Sequence, residues 1–93
     1  MPRLVTSAAH FDNSSLPART QELRRVSAVA DVGVLVRLSR KRMKLSQQAF
    51  ADVAGVGRRF VSELESGKPS LEFDKVIRVC AAAGVDIVAE MRT

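Results

Sequence analysis

An all-α fold of four to five helices, ending in one short C-terminal β-strand, is predicted by three observations. Apolar residues recur at helical spacing from Ser27 to Gly84. Gly55, Gly67-Lys68-Pro69 and Gly84 interrupt that pattern where helices would have to end. Beyond Gly84 the apolar period drops from about 3.6 residues to two.

The elements follow in order. Residues 1–26 form an extension, with Ser14 and Ser15 before Leu16-Pro17 and then a charged stretch from Ala18 to Arg25. Its polar composition fits either disorder or a weak helix. A helix is expected from Ser27, with Val29, Val32, Leu35, Val36 and Leu38 as its apolar face. It ends in the basic run Arg40, Lys41, Arg42, Lys44. Cations there complement the helix dipole, so part of this run can be structural, but four in five residues exceed what capping needs.

Ser46 is the expected N-cap of the next helix, which starts near Gln47, and Gly55 provides the left-handed residue that ends it. Val56 tucks under, and the following helix begins at about Gly57. If Gly55 is the turn, Phe50, Ala51, Ala54, Val56, Val61 and Leu64 are the positions that must pack between the two helices, and all six are apolar. Two helices crossing steeply over a short turn approach closely at one point, which asks for a small residue, and Ala51 is there. Val61 and Leu64 then face inward, leaving Arg58, Arg59, Ser62 and Glu63 outward.

Ser70 is expected to cap the last helix, with Leu71, Phe73, Val76, Ile77, Cys80 and Ala83 as its buried stripe. Val85, Ile87, Ala89 and Met91 then alternate with Asp86, Val88 and Glu90, the pattern of a strand buried on one face. A lone strand leaves its ladder unpaired. The same strand of a second subunit, forming a two-fold antiparallel ribbon, is the favoured neighbour, and a tail folded onto its own helices is the other.

Composition narrows the function. Ninety-three residues make one domain, and a structured part of about 65 would bury roughly 60% of its unfolded surface, so a partner subunit is expected. With 46% hydrophobic residues, no Trp or Tyr and four Phe, the core must come from Val, Leu, Ile and Ala. There is neither an 18-residue apolar run nor an apolar segment after Met1, so no membrane span or secretory signal is expected and the cytoplasm is the predicted location. The single Cys80 lies on the apolar stripe and is read as core. His10 has no ligand cluster around it and is read as surface. Glu63 and Glu65 are two apart, on different helix faces, so no catalytic pair is apparent; neither enzyme activity nor a cofactor or metal is expected.

An ordinary helical hairpin would share the Gly55 pattern, and charge decides against it. From Arg37 to Lys68 there are eight cations (Arg37, Arg40, Lys41, Arg42, Lys44, Arg58, Arg59, Lys68) and three anions (Asp52, Glu63, Glu65), a balance of 8 − 3 = +5. That equals the net charge of the whole chain, so the remainder is neutral. Such a local excess is the electrostatic footprint of a nucleic-acid binder.

The segment LVRLSRKRMKLSQQAFADVAGVGRRFVSELESGKP resembles the helix-turn-helix domain of the xenobiotic-response-element type, shared by lambda-like repressors, restriction controllers and antitoxins. The resemblance runs from Ala30 to Gly84. More narrowly, GVGRRFVSELESGKPSLEF, followed by a long helix and a terminal strand, looks like HipB-type antitoxins. That resemblance implies a homodimer that represses its own operon, joins through its C-terminal strand (Val85, Ile87, Val88, Ala89), and binds a HipA-like kinase toxin. It also implies that Gln47 holds a phosphate and that Gly57, Arg58, Arg59 and Ser62 lie at the base-reading start of the recognition helix. At Phe60, where many relatives have a polar residue, the chain departs; the ring either touches a thymine methyl or pads the edge of the core.

The contacts then divide by task. Arg58 and Arg59 would read guanine in the major groove. Arg40, Lys41, Lys44, Ser46, Gln47 and Lys68 would meet phosphates of double-stranded operator DNA. Two alternatives stay open: a stand-alone prophage or restriction-type regulator without a toxin, or chiefly a toxin-neutralising interaction module.

Overall fold

The computed structural model of the chain describes residues 23–92. Within residues 26–87 four helices follow one another: α1 (Val29–Arg42), α2 (Gln47–Ala54), α3 (Arg58–Glu65) and α4 (Phe73–Ala83). Residues 23–25 and 88–92 fall in a second unit and carry neither helix nor strand. Most of the expected N-terminal extension, residues 1–22, lies outside the described residues.

Helix α1 starts at Val29, two residues later than the expected Ser27. The reason is Asp31, whose carboxylate accepts from the backbone N–H groups of Ser27 and Ala28, at 2.8 and 3.1 Å, and holds Ala28 in an extended conformation as the cap. Helix α2 starts where the sequence placed it, with the Ser46 hydroxyl accepting from the Ala49 N–H at 3.0 Å. It ends at Gly55, whose φ of 76° is left-handed. Gly57 then caps α3 from an extended conformation.

The core is built as the Gly55 pattern requires. Phe50, Ala51, Ala54, Val61 and Leu64 are buried and Val56 packs half-buried against them. Burying side chains such as Val61 or Leu64 contributes about 1.5 to 3 kcal/mol each. Val32 and Val36 join this core from α1, and Val76, Val79, Cys80 and Ala83 join it from α4.

The expected stripe of α4 needs two corrections. Val79 is fully buried, whereas Ile77 and Phe73 are 40% and 63% exposed. The expected stripe included Ile77 and left out Val79, and the rotation of α4 about its axis puts Val79 inward instead. Ser70 is not the cap either. Leu71 packs half-buried on the core ahead of the helix, and Glu72, in an extended conformation, is the cap.

A backbone contact sets how α1 meets α3. Gly33 is buried, and a Cβ built there would overlap the Leu64 carbonyl oxygen while lying 3.1 Å from its carbon and 3.2 Å from Glu65 Cα. Glycine is therefore required by close approach, although its helical backbone is ordinary. At the other end of the unit, the Ser39 hydroxyl donates to the Ala83 carbonyl at 2.6 Å, tying α1 to the end of α4.

The strand expected at residues 85–93 does not form: no strand occurs among the described residues. A ladder needs a neighbouring strand, and a single chain supplies none here. Val85 instead donates its N–H to the Cys80 carbonyl at 2.8 Å, closing the end of α4 after the left-handed Gly84.

Candidate nucleic-acid interface

Four polar side chains link the interior to the start of α3. Arg40 is 8% exposed, and its Nε and Nη2 donate to Glu65 Oε2 and Oε1 at 2.7 and 2.9 Å while Nη1 donates to the Leu45 carbonyl at 2.9 Å. Glu65 Oε1 also accepts from Gln47 Nε2 at 3.1 Å, and Gln47 Oε1 in turn accepts from Arg58 Nη1 at 3.1 Å. Since one end of the Gln47 amide gives and the other receives, its orientation is fixed by its partners. Burial pushes the Glu65 carboxyl up, but bonds from Arg40 and Gln47 and the charges of Arg40 and Arg37 outweigh it and hold the group below its usual range.

This network corrects one assignment. Arg40 was expected to face phosphates, yet both edges of its guanidinium are occupied within the protein, so it cannot reach solvent DNA without breaking a bidentate ion pair. Of the eight cations in the basic window, the other seven (8 − 1) are exposed.

The remaining expected residues separate into two places. Gly57, Arg58 and Arg59 are exposed at the start of α3 and Ser62 is half-buried one turn on, while Val61 and Leu64 of the same helix are fully buried. Nothing lies within 4 Å of a Cβ built on Gly57, whose φ is −81°, so neither packing nor backbone demands glycine there. Arg59 and Lys68 both donate to Glu63 Oε2, at 3.2 and 3.3 Å. Around the start of α2, Lys41 and Lys44 are exposed, Ser46 keeps its O–H to donate while it caps, and Gln47 keeps one amide hydrogen beyond its bond to Glu65. Lys44 has a left-handed φ of 61°, an uncommon conformation for a residue other than glycine.

Phe60, left open between two readings, does pack on the edge of the core. It is half-buried against the hydrophobic cluster, with the Lys75 ammonium 5.9 Å from its ring centroid. Val85 is half-buried, and Ile87, Val88 and Ala89 are exposed.

Sequence reasoning missed Glu63, Glu65 and Gly33. Glu65 had a readable signal, because it follows Val61 by four residues and so lies on the inward side of α3, where a lone carboxylate calls for a buried cation. Gly33 had another: a glycine in mid-helix with no turn to make.

Comparison with known proteins agrees with this geometry. Residues 36–89, more than half of the chain, match the helix-turn-helix family. The chain is also similar to the uncharacterized HTH-type transcriptional regulator y4mF of Sinorhizobium fredii (strain NBRC 101917 / NGR234), at 46% identity over 68 residues that span 71% of this chain and 90% of that protein. No helix among the described residues is long and apolar enough to cross a membrane. The matched residues span α2, the left-handed Gly55 and α3 with its buried inner face, and the chain belongs to the helix-turn-helix family.

Proposed function

We propose that the protein is a sequence-specific transcriptional repressor that binds operator DNA as a homodimer and serves as the antitoxin of a HipAB-like operon. The observation that carries the DNA reading is the start of α3, where Arg58 is held by Gln47 beside an exposed Arg59 while the opposite face of the helix is locked in the core. A reading helix must be rigid relative to the contacts that dock it, and the Gln47–Arg58 bond joins a base reader to a phosphate ligand directly.

In this reading Arg58 and Arg59 enter the major groove, where a guanidinium fork matches guanine O6 and N7. Lys41, Lys44, Ser46 and Gln47 meet phosphates and set register and salt dependence, and Lys68, tied to Glu63, joins them only where it releases that carboxylate. Two subunits would place their α3 helices roughly 34 Å apart on a palindromic site. The dimer reading is supported by Ile87 and Val88, 44% and 54% exposed in a segment that is neither helix nor strand, and by the shallow apolar groove that Ile77, Ala81 and Ile87 line. The toxin partner is supported by the resemblance of residues 55–73 to HipB-type antitoxins.

Footprinting on the protein's own upstream region, with and without the downstream gene product, tests the whole reading. Arg58→Ala should weaken operator binding far more than random-DNA binding, whereas Lys44→Ala should weaken both alike and flatten the salt slope by about one. Equal losses in both variants would remove the assignment of tasks. A dimer that survives deletion of residues 85–93, weighed by light scattering, would remove this C-terminal segment from the dimer contact. A downstream product that neither co-purifies nor alters the footprint would remove the antitoxin role.

A further inference from the structure

We infer that Glu63 is a specificity-determining residue of the DNA-binding surface, which aims Arg59 at guanine and restrains Lys68 from the phosphate backbone. The inference rests on the proposed reading role of α3. It starts from one carboxylate oxygen, Glu63 Oε2, which accepts from Arg59 Nε at 3.2 Å and from Lys68 Nζ at 3.3 Å.

The geometry of the first bond matters. The Arg59 side chain is 89% exposed and that of Glu63 is 26% exposed, so a projecting arginine is anchored by a carboxylate set back against the protein. A guanidinium has five N–H donors in a rigid plane, and the Nε–H lies on the edge nearest its own chain. A bond there leaves Nη1 and Nη2 free as a pair, and that pair is what spans guanine O6 and N7. An arginine without this anchor distributes itself between phosphates and base edges. Anchored at Nε, its orientation is chosen before DNA arrives.

The second bond acts on affinity. Lys68 must release Glu63, or share its donors, before it can neutralise a phosphate, and the carboxylate itself repels the backbone. Burial pushes the Glu63 carboxyl up, but bonds from Lys68 and Arg59 and their charges outweigh it and hold the group below its usual range, so the carboxylate is charged at neutral pH. Glu63 therefore lowers attraction to every duplex while sharpening the choice among them. As an exposed ion pair four residues apart on a helix, it contributes little to folding, which leaves recognition as its main effect.

The test uses the full chain with the site defined by footprinting and a random duplex of equal length, across a salt series. Circular dichroism melts check that each variant folds. Glu63→Gln should bind the random duplex several-fold tighter, with a salt slope steeper by about one as Lys68 is freed. Its operator-to-random ratio should fall on the order of tenfold, the worth of one bidentate guanine contact. Selection from randomised sites should show preference lost at one position per half-site, the same position that Arg59→Ala loses. Glu63→Asp retains the charge but is one methylene shorter; it should return random-duplex affinity towards wild type without restoring the base preference, separating aim from charge. Unchanged base preference in Glu63→Gln, with Arg59→Ala losing a position, overturns this inference and leaves the α3 reading standing. A wild-type protein that prefers no duplex overturns that reading instead.

Discussion

Replacing Gly33 with alanine adds a single methyl where α1 comes closest to α3. That methyl would lie 3.1 Å from the Leu64 carbonyl carbon and 3.2 Å from Glu65 Cα, and would overlap the Leu64 oxygen. Unstrained contacts of this kind sit at about 3.5 to 4.0 Å, so the two helices must part by roughly 1 Å. The atoms in the way are backbone, and Leu64 and Val36 beside them are fully buried, so no flexible side chain can swing aside. Overpacking typically costs about 1 to 3 kcal/mol, while alanine in mid-helix gains about 1 kcal/mol over glycine. With backbone as the obstacle the upper end applies, giving a net loss of about 2 kcal/mol from a total of roughly 5 to 15. The chain has no Trp or Tyr, so urea unfolding is best followed by far-ultraviolet circular dichroism, at two protein concentrations to expose any dimer linkage. At a slope of about 1 kcal/mol per molar urea, the midpoint should fall by about 2 M. Val34→Ala, at a position 56% exposed on the same helix, should stay within about 0.5 kcal/mol. A Gly33→Ala midpoint at or above wild type, with unchanged slope, would refute the close-approach argument.

Three further outcomes are expected. Glu65→Gln leaves the Arg40 guanidinium buried against a neutral partner and should cost about 3 to 5 kcal/mol at pH 7, measured by the same unfolding curves. The Glu65 carboxyl titrates lower in the folded protein than in the unfolded chain, where it has its ordinary value of about 4.3. Its contribution is therefore full above that value and lost as pH falls through the depressed folded one, so wild type should weaken on acidification more steeply than Glu65→Gln. Leu64→Ala should cost about 2 to 5 kcal/mol and lose DNA binding only in proportion to the unfolded fraction, so binding at low temperature should recover where circular dichroism does. Cys80 is 1% exposed and burial pushes its thiol up, so a thiol reagent should label it slowly in the native protein and rapidly in denaturant, and fast native labelling would contradict its place in the core.

The turn at Gly55 was readable because glycine, small residues and apolar residues each occupy a position where few alternatives pack. The same logic found the Ser46 cap and the outward arginines of α3. It failed where the answer depends on how a helix is rotated and where it starts: Ile77 was placed on the stripe of α4 and Val79 left off it, and Ser70, the better cap by composition, gave way to Glu72 because Leu71 packs on the core ahead of the helix. It failed more instructively at Arg40, because a count of cations carries no information about which of them finds a carboxylate 25 residues away. The alternation after Gly84 was real, but alternation specifies a face and not the neighbour that would pair with it.

The bonds from Arg40 through Glu65 and Gln47 to Arg58 have a genetic consequence. A screen for altered operator choice should recover substitutions at positions that no nucleotide could ever touch, and pairs of changes drawn from that set should fail to combine additively. Evolving a new recognition sequence in this scaffold would then mean retuning its interior together with its outermost arginines.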